Sequence, residues 1–178
     1  MSTIFGPVAQ LGYVVTDLDK AMQRWISVGV GPFLVPEGIQ MSGYSHRGTD
    51  YGDVEFKVAL ANSGDLQIEL IEPVGDYPSM WREYIEAHGE TGLQHLGYWT
   101  EDFDAILEKA VAAGHRVVMS AQASGGRWAY FESPANDGTI VELSEQSAQK
   151  KAAFDAIRDA AASWDGTTDP IRRIPANA

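Results

Sequence analysis

Apolar and polar residues recur along this chain with two periods, and the order in which the periods change is written twice. Residues 7–15 are rich in β-branched and aromatic side chains and predict a strand. Asp17 then offers an N-cap, and Leu18, Met22, Trp25 and Ile26 recur at helical spacing up to Gly29. Residues 33–35, 54–60 and 66–71 predict three further strands, the last two joined by a turn at 62–65. The order is βαβββ. The second copy begins with a strand at 94–99, followed by a helix after Asp102 that carries Phe103, Ile106, Leu107 and Val111 and stops at Gly114. Strands at 117–119, 128–131 and 140–143 complete it, with "ANDG" predicting the last hairpin turn.

The repeat is also literal. "QLGYVVTDLDKAM" from Gln10 and "HLGYWTEDFDAIL" from His95 share Leu-Gly-Tyr and an Asp-x-Asp eight residues in, and the copies close on "ELIE" from Glu69 and "ELSE" from Glu142. His95 follows Gln10 by 85 residues and Glu142 follows Glu69 by 73. The difference predicts extra loop between Glu37 and Asp53 in the first copy. Two matched ends with unequal offsets argue for duplication followed by loop drift.

Outside the repeats, residues 79–87 put Met80, Trp81, Tyr84 and Ile85 on one helical face, a connecting helix. Residues 147–164 predict a C-terminal helix striped by Phe154, Ile157, Ala161 and Trp164, and the tail "DGTTDPIRRIPANA" reads as irregular. The fold expected is α+β: two βαβββ modules, about 7–73 and 93–146, forming a cupped mixed sheet within residues 1–146, with a C-terminal helix and tail over 147–178. The stripe needs burial against a second copy or the chain's own sheet, and a homodimer is expected.

Composition narrows the function. A net charge of −12 leaves no basic stripe for nucleic acid or an anionic membrane. The absence of cysteine removes disulfides, thiolate metal sites and cysteine nucleophiles. No basic-then-apolar leader opens the chain and no apolar run approaches the roughly 20 residues that span a bilayer, so the expected location is cytoplasmic.

The duplication places four polar side chains at equivalent points: Gln10 and His95 on opening strands, Glu69 and Glu142 on closing strands. Side chains alternate along a strand, so Glu69 points away from Ile68 and Leu70, and Glu142 away from Val141 and Leu143. Polar groups in such apolar strands are costly without partners. Two carboxylates, an imidazole and a carboxamide form a candidate site for one divalent ion, and three oxygens with one nitrogen suit Zn, Co, Ni, Mn or Mg.

These segments resemble the vicinal oxygen chelate superfamily, which includes glyoxalase I, methylmalonyl-CoA epimerase, extradiol dioxygenases and bleomycin-resistance proteins. "EYIEAHGETGLQHLGYWTEDFDAILEKAVAAGHRV" is similar to the epimerase branch, and "SPANDGTIVELSE" to the family's closing hairpin. The resemblance implies metal ligands at Gln10, Glu69, His95 and Glu142. The epimerase pattern has His at position 10 and Gln at 69. The set here is that of one glyoxalase I branch.

The implied activity is a metal-dependent isomerase, epimerase or lyase that takes a proton beside a carbonyl through a metal-stabilised enediolate. Glu142 is the preferred base and Glu69 the next, and the substrate is a small carbonyl compound such as a thioester or thiol conjugate. An extradiol dioxygenase would need a second His that the first copy lacks. A binding or resistance protein of the same fold is the other alternative. Tyr44, His46, Arg47 and Tyr51 are weaker candidates for a lid, and Arg127, Trp128 and Tyr130 for the wall of the cup. His88, His115 and Gly125-Gly126 carry no comparable signal.

Overall fold

A computed structural model describes residues 1–89, 91–123, 125–133, 138 and 140–175. Each half opens with a strand that hands over to a helix. β1 (Gln10–Val15) leads to α1 (Leu18–Ser27), whose N-cap Asp17 accepts from the Lys20 backbone N–H at 2.9 Å. α1 buries Leu18, Ala21 and Met22 against Val15, Phe33, Ala59 and Leu70. β2 (Phe33–Pro36), β3 (Gln40–His46), β4 (Thr49–Ser63) and β5 (Leu66–Pro73) follow, and α2 (Met80–His88), capped by Ser79, connects the halves.

In the second half, β6 (Thr91–Thr100) leads to α3 (Phe103–Ala112), then β7 (Arg116–Ala123), β8 (Gly126–Glu132) and β9 (Ile140–Glu145). Asp102 holds the N-cap position of α3, but its side chain makes no capping bond. Its own N–H goes to Thr100 Oγ1. The predicted "ANDG" turn lies, apart from Gly138, outside the described residues.

Four helices and ten strands stand among the described residues, a mixed α+β fold. Eight strands close into a ring in the order β4-β3-β7-β8-β9-β6-β1-β5, with β5 returning to β4. The halves meet twice, at the antiparallel pairs β1–β6 and β3–β7. The interior holds Val14, Val58, Ile71, Met119, Trp128 and Tyr130, with Trp81 of α2 packed among them.

Two sequence expectations need correction. The extra loop at 37–53 is instead a β-hairpin, β3 with the first part of β4, turned by Arg47 and Gly48 at positive φ. It supplies the second junction of the ring. Register shifts beside Tyr44 break the period of two, so its alternation does not read as a strand. The tail is not wholly irregular, because β10 (Ile171–Ile174) pairs in parallel with β2 outside the ring.

α4 (Ala148–Ser163) begins after β9, capped by Ser147. Its stripe is used within the chain. Ile157 is buried among the interior residues, Phe154 packs against Trp99 in a tilted pair with ring centroids 4.7 Å apart, and Trp164 lies over Gly31. The stripe therefore gives no argument for a second copy. No described helix is long and apolar enough to cross a membrane.

Candidate metal centre

Four neighbouring strands of the ring, β9, β6, β1 and β5, carry the four residues matched by the duplication. The registers explain how these residues meet. In the parallel pair β1–β5, Gly12 stands opposite Glu69, and across β1–β6 it stands opposite His95. In the second half Gly97 stands opposite Glu142 and, across the same junction, opposite Gln10. Cross-strand partners share a face, so all four polar side chains enter the ring. Each glycine leaves open the space between a glutamate and a residue of the other half. A Cβ on Gly12 would stand 1.8 Å from His95 Cε1, overlapping the ring, and one on Gly97 would stand 2.7 Å from Gln10 Oε1.

The result is a compact buried cluster. His95 Nε2 lies 3.1 Å from Glu142 Oε2 and 3.3 Å from Glu69 Oε2. One candidate ligand atom from each of these three residues lies within 4.8 Å of the others. The His95 side chain is wholly buried, against 14% exposure for Glu69 and 9% for Glu142.

Gln10 is buried in the same interior. Its Nε2 donates to Gln67 Oε1 at 2.8 Å, which leaves Oε1 buried and without a partner. Glu69 Oε2 likewise accepts no hydrogen bond despite its closeness to His95. Unsatisfied buried oxygens are costly, and here both belong to the predicted ligand set.

The imidazole is oriented for ligation. A register shift after Gly12 makes Gln94 the extra residue of a bulge, and the Gln94 carboxamide lies beside His95. Gln94 Oε1 is 2.7 Å from His95 Nδ1, so Nδ1 carries the proton and Nε2 faces the carboxylates. Burial opposes charge on this ring, but the adjacent carboxylates of Glu142 and Glu69 outweigh it and raise its pKa to about 9. Burial also pushes the Glu69 carboxyl up. It acts the same way on Glu142, where the His95 hydrogen bond and the charges of His95 and Lys150 prevail and hold the carboxyl below its ordinary value. Without an ion, a protonated His95 bridges the two carboxylates. With one, neutral Nε2, Gln10 Oε1 and the two carboxylates present the donors that a divalent cation takes, so the residues fit the group.

The remaining candidates divide. Tyr130 belongs to the site, with its hydroxyl 3.3 Å from His95 Nε2 and 3.4 Å from Trp81 Nε1. Burial, followed by the charges of Glu142 and Glu69, raises its pKa and keeps it a neutral donor. Trp128 packs beside it at 5.3 Å between ring centroids. Arg127 is engaged by Asp104 and Glu145 instead. Tyr44, His46 and Arg47 do not form a lid, for they bind the β3 hairpin to α2. Tyr44 donates to Pro78 O, and His46 and Arg47 both bond Glu83.

Sequence reasoning missed Gln67, Gln94, Ser144 and Lys150. Ser144 had a readable signal, standing two residues after Glu142 on the same face of β9.

Solved structures similar to this chain include methylmalonyl-CoA epimerase from Mycobacterium tuberculosis, at 20% identity and a TM-score of 0.59, over 85% of this chain and 96% of that one. A variant of Streptomyces coelicolor methylmalonyl-CoA epimerase in complex with 2-nitronate-propionyl-CoA matches at 20% identity and 0.55, over 79% and 94%. At such identities the likeness shows the fold alone. No curated protein sequence matches significantly. A family model matches residues 9–131, a span that holds Gln10, Glu69 and His95, with Glu142 beyond it. The chain belongs to the Glyoxalase/Bleomycin resistance protein/Dioxygenase superfamily.

Proposed function

We propose that the protein is a metal-dependent isomerase, epimerase or lyase that removes a proton beside a carbonyl, in the manner of methylmalonyl-CoA epimerase or glyoxalase I. The observation that carries this reading is the pair of carboxylates, Glu69 and Glu142, that both approach His95 Nε2, at 3.3 and 3.1 Å. The family and the epimerase-like fold support it. The substrate class is a small carbonyl compound, a thioester or thiol conjugate.

Gln10, Glu69, His95 and Glu142 would hold one divalent ion, which when bound supplies electrophilic stabilisation of charge growing on the substrate's carbonyl oxygen. The residues of the chain do the rest. Glu142 accepts the proton from the carbon beside the carbonyl while the C–H electron pair moves toward that oxygen. Glu69, the second carboxylate beside His95 Nε2, returns a proton to the other face in an epimerisation, and in an isomerisation a proton returns to the neighbouring carbon. Tyr130 offers a buried neutral O–H to the oxygen on which charge develops. A carboxylate engaged with the ion would be a weak base, so the working glutamate would be the one left free of it.

The test is deuterium incorporation beside the carbonyl for a panel of thioesters and 2-oxo compounds, with metal content measured on the same sample. Glu142→Gln keeps shape and most hydrogen bonding but removes the proton acceptor, so exchange should fall by roughly two to four decades. If Glu142→Gln holds its metal and exchanges at the wild-type rate, the base is Glu69. If Glu69→Gln is equally silent, proton abstraction by this pair is wrong.

A further inference from the structure

Lys150 lies in the first turn of α4, beyond the span that the family model matches, yet its side chain reaches the ring interior. Nζ donates to Ser144 Oγ at 2.6 Å, and Ser144 is buried on the same inward face of β9 as Glu142. The stem is held in place. Ser147 Oγ accepts from the Lys150 N–H at 3.1 Å and donates to Gly125 O at 3.2 Å, bringing the loop before β8 against the lysine. At Gly125 an added Cβ would stand 3.2 Å from Lys150 Cδ. The ammonium also sits 5.4 Å from the centroid of the Phe154 ring.

The ammonium is mostly withdrawn from solvent but forms no ion pair with a carboxylate among the described residues. Glu142 and Glu69 act on it through their fields, and Glu145, which acts likewise, is itself paired to Arg127. One N–H is spent on Ser144. Two remain as donors, and a buried cation with unfilled donors is costly.

Charge at the site points the same way. With Glu69 and Glu142 ionised, His95 neutral and one divalent ion held, the ligand set is neutral. Lys150 then leaves the pocket with one positive charge and no protein anion to meet it.

We propose, resting on the reading above, that Lys150 is a specificity residue that receives an anionic oxygen of the substrate, so that the site selects carbonyl compounds carrying one negative charge near the reacting carbon over neutral analogues of the same shape. α4 thereby completes the site with a group that neither repeat provides.

The experiment compares wild type, Lys150→Met and Lys150→Arg proteins loaded with the same ion, by calorimetric titration with pyruvate and with pyruvamide. These share a 2-oxo group and differ by one charge. Wild type should prefer pyruvate by about tenfold or more, and Lys150→Met should lose about tenfold in pyruvate affinity while pyruvamide binding stays within about twofold. Lys150→Arg should keep most of the preference. Metal content and thermal midpoint, measured on each protein, separate this effect from a damaged site. A Lys150→Met protein with unchanged metal and the wild-type preference overturns the proposal, as does a wild type that does not distinguish the two ligands. The ratio is read without turnover, so a failure of deuterium exchange would count against proton transfer and not against this role of Lys150.

Discussion

The His95 imidazole occupies the volume that any side chain at position 12 would need, so Gly12 is the floor on which the ring of the other half rests. Gly12 is also the register partner of Glu69, and the missing side chain is what lets Glu69 and His95 approach to 3.3 Å. Gly97 repeats the arrangement between Glu142 and Gln10. The glycine of the Leu-Gly-Tyr shared by the copies thus makes room for the polar side chains of the cluster.

Gly12→Ala should therefore displace His95. Overpacking a dense interior costs about 1–3 kcal/mol, and here the strain falls on the proposed metal ligand as well as on stability. The expected result is a lower thermal midpoint together with a sharp loss of bound metal. Gly97→Ala meets Gln10 Oε1 at 2.7 Å and Cβ at 2.9 Å, a milder overlap than the 1.8 Å at Gly12, and should lose less of both. Equal metal content in Gly12→Ala and wild type would contradict this packing.

Metal binding should depend on His95 more than on any neighbour that only orients it. Protein purified after growth with divalent metals should carry about one ion per chain, since the buried donor set is poorly compensated otherwise. His95→Ala should bring occupancy close to zero. Gln94→Ala removes the acceptor that fixes the Nδ1 tautomer and should weaken affinity by about 10–100-fold while leaving a measurable site. Elemental analysis and metal-dependent thermal shifts of the three proteins decide the order.

Most of the scaffold and the four matched side chains were legible because duplication makes a sequence its own comparison. The period-two strands and the Asp17 cap follow local rules, and Gln10, Glu69, His95 and Glu142 occupy equivalent places in both copies. What was not legible depends on long-range pairing. β3 carries a polar face and two register shifts, and it becomes a strand through pairing with β4 on one side and β7 on the other. β10 is four residues long and exists through β2. Lys150 in isolation is one of two adjacent lysines on α4, and nothing local marks it as the one beside Ser144.

The packing of α4 gives a prediction about assembly. Ile157 is 4% exposed and packed into the interior, so Ile157→Ala should cost about 2–4 kcal/mol in urea unfolding. If the helix covers its own sheet, the unfolding midpoint will not change with protein concentration in either protein. The homodimer expected from the sequence can then form only through another face. A midpoint that rises with concentration, with the rise lost in Ile157→Ala, would mean that α4 is exchanged between copies.

The clamp on Arg127 yields a prediction with a defined sign in pH. Glu145 Oε2 accepts from both the Arg127 Nε and its backbone N–H, at 3.0 and 2.9 Å, while Oε1 accepts from the guanidinium at 2.9 Å. Asp104 of α3 accepts from the same guanidinium, so one arginine links β8, β9 and α3. The side-chain bond to Arg127, followed by the backbone bond, holds the Glu145 carboxyl down at about 2, against an ordinary 4.5. A carboxyl depressed by folding binds its proton more weakly in the folded than in the unfolded chain. Its contribution is complete above the ordinary value and fades as pH falls through the folded one. The Arg127 side chain is 40% exposed, so solvent screens the pair and the contribution is about 1 kcal/mol or less. Glu145→Gln should accordingly be less stable than wild type by about that amount at neutral pH in urea unfolding, and the gap should close as the pH approaches 2. The variant must be compared with wild type at each pH, because every other carboxylate titrates equally in both proteins. A gap that stays constant down to that pH would assign the loss to packing rather than to the charge of Glu145.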